Sequence, residues 1–119
     1  MSFERFNLDP KIMSGVRALG YTLPTPIQLD SIPPIMEGND VMGLAQTGTG
    51  KTAAFVIPMV ERLAALSKGQ PQALILAPTR ELALQTLTTI EKLGRSRRMS
   101  ATVIVGGADM QAQVRGLRQ

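Results

Sequence analysis

Eight consecutive residues decide the fold predicted for this chain: Ala45-Gln46-Thr47-Gly48-Thr49-Gly50-Lys51-Thr52. The two glycines have no Cβ atom, so the loop can turn with positive φ and bring backbone N–H groups against phosphate oxygens. Lys51 can then reach the β- and γ-phosphates, and the Thr52 hydroxyl is placed to ligate Mg²⁺. The octet therefore predicts a nucleoside-triphosphate site, with Lys51 and Thr52 as its catalytic candidates.

The general phosphate-loop pattern begins with glycine, and Ala45 stands in that place. The alternative is a surface turn rich in Gly and Thr, which would have to explain a Gly-Lys-Thr triplet where a strand meets a helix. The flanking sequence predicts that junction, because Val41–Leu44 is a short apolar run typical of a buried strand and Lys51–Leu66 has helical spacing. Pro58 removes one hydrogen bond from this helix and should kink it. The phosphate-loop interpretation is favoured.

Strands alternate with helices along the rest of the chain. Two further strands are predicted at Ala73–Ala77 and Thr102–Val105. Because parallel strands need crossover connections, this alternation predicts an α/β fold, a parallel β-sheet flanked by helices. We expect an N-terminal region at 1–38, followed by the first part of a nucleotide-binding domain at 39–119. The predicted helices are Leu8–Leu19, Thr25–Met36, Lys51–Leu66, Thr79–Leu93 and Asp109–Leu117.

Composition limits the chemistry that is possible. Cysteine and histidine are absent, which excludes disulfides, thiolate and imidazole metal ligands and a histidine general base. No apolar run approaches the roughly 20 residues of a membrane span, and the N-terminus lacks the pattern of a signal peptide. We therefore expect a cytoplasmic protein with no membrane contact.

The formal net charge of +4 is unevenly distributed. A basic C-terminal end suits a polyanionic partner, although from charge alone a solvated surface is the favoured interpretation. The cations of this end, opposed only by Asp109, are Lys92, Arg95, Arg97, Arg98, Arg115 and Arg118.

A glutamine upstream of the phosphate loop predicts which base the bound nucleotide carries. The Gln28 amide both accepts and donates, so it can meet the N6 amino group and N7 of adenine together, whereas guanine offers acceptors at both places. ATP should therefore be preferred to GTP, and Phe3 could stack on the base. Taken alone, Gln28 would more often be an ordinary polar helix residue and Phe3 an ordinary core contact.

Together these residues resemble the DEAD-box family of RNA helicases. The family's Q motif pairs an upstream aromatic residue with Gly-aromatic-x-x-Pro-Thr-x-Ile-Gln, ahead of a phosphate loop that begins with Ala, as Ala45 does. The resemblance continues in Pro78–Ala83, which is similar to the family's motif Ia, and in Gly106-Gly107 with Gln113. It spans nearly the whole chain. The matching Q-motif residues are Phe3, Gly20, Tyr21, Pro24, Thr25, Ile27 and Gln28.

The resemblance implies a RecA-like domain that binds ATP and Mg²⁺ and contacts the sugar-phosphate backbone of single-stranded RNA. The implied nucleotide ligands are Phe3, Tyr21, Gln28 and Ala45–Thr52. The implied RNA ligands are Pro78, Thr79, Arg80, Gly106 and Gly107.

The chemistry of the implied RNA ligands is suitable. Arg80 can fork onto a phosphate, Thr79 can donate a hydroxyl hydrogen bond, and the two glycines permit close approach. The alternative makes Thr79 a helix N-cap, with Arg80 on an exposed first turn and Gly106-Gly107 a plain turn.

Relatives complete this domain with Asp-Glu-Ala-Asp and Ser-Ala-Thr segments, and a second RecA-like domain faces it. No Asp-Glu pair occurs in this sequence, so the resemblance implies a first domain cut before the Walker-B carboxylates that hold the metal and orient the nucleophile. We expect the stretch alone to bind nucleotide weakly, to hydrolyse none, and to be unstable because its sheet would expose an edge. Two rivals are a DNA-directed superfamily-2 translocase and a naturally short, non-catalytic domain that binds ATP or RNA.

Overall fold

The computed structural model describes residues 2–63, 70–97 and 99–118. Each of the five predicted helices is present, with ends within two residues of the prediction, except that the predicted end of the third helix, Leu66, lies outside the described residues. Short 3₁₀ helices occupy Phe3–Phe6 and Arg95–Arg97. The α-helices are α1 (Pro10–Ala18), α2 (Pro26–Met36), α3 (Lys51–Leu63), α4 (Arg80–Gly94) and α5 (Met110–Leu117).

Local capping explains where three of the helices begin. Asp9 caps α1, Thr79 caps α4 and Asp109 caps α5, and each side-chain oxygen accepts a hydrogen bond from a first-turn backbone N–H, at 2.8, 3.1 and 2.9 Å. These bonds satisfy donors that have no partner within the helix. Pro10 and Pro26 stand at the first positions of α1 and α2, where a missing N–H costs nothing.

The core lies between α1, α2, α3 and the end of α4. Helix α3 contacts each of the other three, so the helix that follows the phosphate loop is the centre of the packing. Helix α1 crosses α4 closely at Gly15, where an added Cβ would lie 2.8 Å from the Leu93 Cα atom. The buried apolar residues that cluster in this core are Phe3, Leu8, Ile12, Met13, Val16, Ile32, Ala53, Val56, Ile57, Val60 and Leu93.

This core contains side chains from both sides of the boundary expected at residues 38 and 39. The boundary itself stays a prediction.

The part of the chain that the structure describes does not show the predicted parallel sheet. Within residues 2–63, 70–97 and 99–118 no strand is formed, and no backbone hydrogen bond there joins any two of Val41–Leu44, Ala73–Ala77 and Thr102–Val105. A strand exists only through pairing with a neighbour, and these three segments do not pair with one another. Many of their apolar side chains are consequently exposed, among them Met42 (87%) and Leu76 (86%).

Candidate nucleotide site and nucleic-acid interface

The phosphate loop passes into the N-terminus of α3. Gly48 and Gly50 adopt φ of +84° and +85°, in the left-handed region that glycine enters without strain. The Thr49 hydroxyl donates a hydrogen bond to the Gln46 carbonyl oxygen at 2.6 Å, across the turn. Lys51, the first residue of α3, is exposed. The loop therefore presents a cation and the positive end of a helix dipole on one side, an arrangement suited to phosphate.

Gln28 joins α2 to the phosphate loop. Its side chain is 2% exposed, its Oε1 accepts from the Thr25 N–H at 2.9 Å, and its Nε2 donates to the Gly50 carbonyl oxygen at 3.2 Å. The same carbonyl accepts from the Ala54 N–H at 3.1 Å as the first bond of α3. The amide predicted to read adenine is thus fastened to the end of the loop, and its contact with a base stays a prediction.

The aromatic residues predicted to contact the base are packed against each other. Phe3 is 2% exposed, and its ring stacks on Tyr21 with a centroid distance of 6.3 Å and an interplanar angle of 22°. Phe6 meets Phe3 edge-on at 6.0 Å. Tyr21 has more exposed surface than Phe3. The structure therefore brings Phe3 and Tyr21 together, with Phe3 on the core side, and base stacking stays a prediction.

The predicted RNA ligands share one exposed surface. Arg80 Nη2 donates to the Gly106 carbonyl oxygen at 2.6 Å, and a Cβ added to Gly107 would lie 3.7 Å from the same nitrogen. Pro78, Thr79, Arg80, Gly106 and Gly107 are all exposed. The Thr79 oxygen accepts the Leu82 N–H, which leaves the hydroxyl hydrogen free to be donated. The capping alternative is therefore present and still compatible with a second contact.

The supporting contacts of two residues, Gln113 and Asp9, were not predicted from the sequence. Gln113 Oε1 accepts from the Val105 N–H at 2.7 Å. This bond holds in place the residue that directly precedes Gly106-Gly107. Asp9 contacts Glu61 and Arg97 as well as capping α1. Gln113 was singled out only as a family match, and the Asp9 contacts join distant parts of the chain, for which local sequence carries no signal.

Among the described residues, no three His, Cys, Asp or Glu side chains lie close enough together to hold a metal ion. The predicted metal ligand, Thr52, is partly exposed in the first turn of α3 beside Lys51. None of the helices in the described ranges is long and apolar enough to cross a membrane.

Residues 25–119 match the DEAD/DEAH box helicase family. This chain belongs to that family. The chain is 48% identical over 117 residues to the ATP-dependent rRNA helicase RRP3 of Candida albicans, covering 98% of this chain and 22% of the relative. For RRP3 of Saccharomyces cerevisiae strain S288c the identity is 50% over 117 residues, covering 98% and 23%. The chain thus spans about a quarter of the length of these curated relatives.

Solved DEAD-box helicases have the same backbone path. A DEAD box protein from Methanococcus jannaschii superposes with a TM-score of 0.91 at 37% identity, covering 99% of this chain and 32% of that chain. The RNA-helicase Prp28 from Chaetomium thermophilum, bound to ADP, gives 0.88 at 37% identity, covering 98% and 30%. The fold is therefore that of a RecA-like DEAD-box helicase domain, although no strand pairing is formed within residues 2–63, 70–97 and 99–118.

Proposed function

We propose that this chain is the ATP-binding part of an ATP-dependent RNA helicase, in which RNA-stimulated ATP hydrolysis drives local unwinding of RNA duplexes. The observation that carries the proposal is the junction of Gln28 with Gly50, because it fastens the Q-motif helix to the phosphate loop one residue before Lys51. Relatives named ATP-dependent RNA helicases support it.

The triphosphate is proposed to lie over residues 45–52. Backbone N–H groups of the loop and the N-terminus of α3 face the phosphate oxygens, and the Lys51 ammonium neutralises the β- and γ-phosphates. The Thr52 hydroxyl is the proposed protein ligand of Mg²⁺, with phosphate oxygens and waters completing the coordination. When bound, the metal ion neutralises charge that develops on the phosphates.

The buried Gln28 amide still has the capacity to read adenine. A glutamine amide has two N–H donors and two acceptor lone pairs. The bonds to Gly50 and Thr25 use one of each, so one donor remains for N7 and one lone pair for the N6 amino group. The Phe3–Tyr21 pair is the proposed aromatic contact for the same base.

The surface formed by Pro78, Thr79, Arg80, Gly106 and Gly107 is proposed to bind the sugar-phosphate backbone of single-stranded RNA. The guanidinium of Arg80 has five N–H donors, and the bond to Gly106 occupies one. The others can fork onto a phosphate while the glycines let the strand approach the backbone closely. Contacts of this kind carry no base specificity.

The rest of the fold completes the proposal. We propose that Val41–Leu44, Ala73–Ala77 and Thr102–Val105 are strands of a parallel sheet in the full-length helicase, where they pair with other strands of the same domain. Exposed apolar side chains on these segments support this. A second RecA-like domain is proposed to close over the nucleotide and RNA, and the cytoplasmic location stays a prediction.

The deciding experiment measures ATP hydrolysis by the full-length protein with single-stranded RNA, with DNA of the same sequence, and with neither. RNA is expected to stimulate hydrolysis well above the level with DNA. Stimulation by DNA alone would replace this proposal with a DNA-directed translocase, and a full-length protein that binds ATP without hydrolysing it would leave only a binding role.

A further inference from the structure

We propose that Asp9 is a positioning residue that couples the nucleotide site to the RNA surface by holding together the far ends of α3 and α4. Helix α3 begins at Lys51 and α4 begins at Arg80, so each starts at one candidate ligand site. Their other ends meet at Asp9, which belongs to neither site. The inference rests on the proposed function, since it concerns communication between ATP and RNA.

Four contacts of Asp9 link three parts of the chain. Its Oδ1 accepts from the Lys11 N–H at 2.8 Å and caps α1. Its Oδ2 lies 2.9 Å from Arg97 Nη2, in the 3₁₀ turn that follows α4. Its backbone N–H is shared between both carboxylate oxygens of Glu61, near the end of α3, at 3.1 Å each. We refer to Asp9, Glu61 and Arg97 as the Asp9 clamp.

Burial distinguishes this clamp from an ordinary surface ion pair. The Arg97 and Asp9 side chains are 22% and 32% exposed. Arg97 Nε is buried and makes no hydrogen bond within the described residues. The ion pair with Asp9 therefore offsets part of the cost of burying the guanidinium charge. By contrast, Arg17 and Glu4 lie 3.8 Å apart with side chains 66% and 72% exposed, a geometry that contributes little.

The distance from the clamp to the ligand sites makes small changes matter. At about 1.5 Å rise per residue, Glu61 lies roughly 15 Å along α3 from Lys51, and Gly94 lies roughly 21 Å along α4 from Arg80. A rotation of about 3° at the clamp would move the ligand ends by about 1 Å, a displacement large enough to alter binding geometry at a reaction site. Helix α3 packs directly on α4, and the clamp ties the ends of both helices to Asp9, so we infer that it helps to set the angle between them.

The test measures coupling in the full-length protein. The affinity of a non-hydrolysable ATP analogue is determined with and without a single-stranded RNA oligonucleotide, and the ratio of the two is the coupling factor, commonly about 5- to 150-fold in coupled systems. Asp9→Asn keeps an oxygen that caps α1 and the backbone N–H to Glu61, but it removes the charge that faces Arg97. We expect its coupling factor to fall to within about twofold of unity, while each ligand alone binds within about twofold of wild type.

Controls separate positioning from stability. Arg17→Gln removes the exposed pair instead and is expected to leave the coupling factor unchanged. Arg97→Gln should lower it as Asp9→Asn does, and the double variant should lower it no further, because both changes break one interaction. Should Asp9→Asn not fold, Arg97→Gln carries the same test, with thermal unfolding recorded for every variant.

Two results would overturn the inference. Folded Asp9→Asn and Arg97→Gln proteins with the wild-type coupling factor would show that the clamp only stabilises the domain. Wild-type protein that binds the ATP analogue but shows no RNA-dependent change in affinity would also overturn this inference, whereas the proposed function is decided separately by RNA-stimulated ATP hydrolysis.

Discussion

The phosphate loop differs from the Arg80 surface in how it is held, although both lie at the start of a helix. The Arg80 surface is the group of exposed residues Pro78, Thr79, Arg80, Gly106 and Gly107. The loop is fastened by the buried amide of Gln28 and leads into α3, at the centre of the core. The surface proposed to bind RNA is joined by a bond between two exposed residues, Arg80 and Gly106. Burial makes the first connection costly to disturb, whereas water competes for the second. The proposed nucleotide site is therefore preorganised, and the proposed RNA surface is the adjustable one.

The largest effect is expected for Lys51→Ala. Loss of the ammonium leaves the β- and γ-phosphates without their side-chain cation, which should weaken ATP binding by about 2–5 kcal/mol. Titration of a fluorescent ATP analogue measures it. Lys92→Ala removes an exposed cation from α4, away from the loop, and should change nothing. Wild-type affinity in Lys51→Ala would disprove the phosphate-loop assignment.

The next effect compares two glycines with the same backbone conformation. A Cβ on Gly50 would collide with Gln28 Nε2, whereas a Cβ on Gly48 would meet no heavy atom within 4 Å. Both substitutions strain a positive φ, of +85° and +84°, so the difference between them reports the collision with Gln28 together with the tight approach to the Thr25 hydroxyl oxygen at 3.2 Å. We expect Gly50→Ala to lower the free energy of unfolding by about 1–3 kcal/mol more than Gly48→Ala does, measured by denaturant unfolding. Equal losses would mean that the Gln28 contact contributes nothing to stability.

Local rules explain which parts of this fold could be predicted from the sequence. The starts of α1, α4 and α5 follow from Asp9, Thr79 and Asp109, because capping needs only neighbouring residues. Strand formation needs a partner from elsewhere, so the apolar pattern of Ala73–Ala77 could suggest a strand but not supply its pairing.

The candidate sites show the same limit. The sequence predicted Gln28, Gly50, Arg80 and Gly106 as members of two sites. It gave no signal for the bonds that join them, because these bonds connect residues 22 and 26 positions apart. Motifs identify the members of a site, whereas tertiary packing decides what each member touches. The members of the Asp9 clamp belong to no motif, so the clamp could not be predicted from the sequence.

Gln28→Ala separates the two roles of the buried amide. If Gln28 reads the base, the preference for ATP over GTP should fall by about 1–3 kcal/mol. If it only supports the loop through Gly50, affinity for both nucleotides should fall equally. We expect the loss of preference together with a smaller common loss, measured by competitive binding of ATP and GTP. An unchanged ratio of the two affinities would show that the adenine assignment is wrong.

Arg80→Ala is expected to have the smallest effect, because the connection it breaks is exposed. Loss of the bond to Gly106 and of one phosphate contact should weaken RNA binding by about 1 kcal/mol, similarly for RNAs of different sequence. The slope of log affinity against log salt concentration should fall by about one phosphate contact. Arg62→Ala, which removes an exposed arginine from α3, is the matched control for charge. Should Arg62→Ala weaken RNA binding as much as Arg80→Ala does, net charge and not the Arg80 surface would account for the affinity, and the RNA-binding surface would have to be sought elsewhere on the domain.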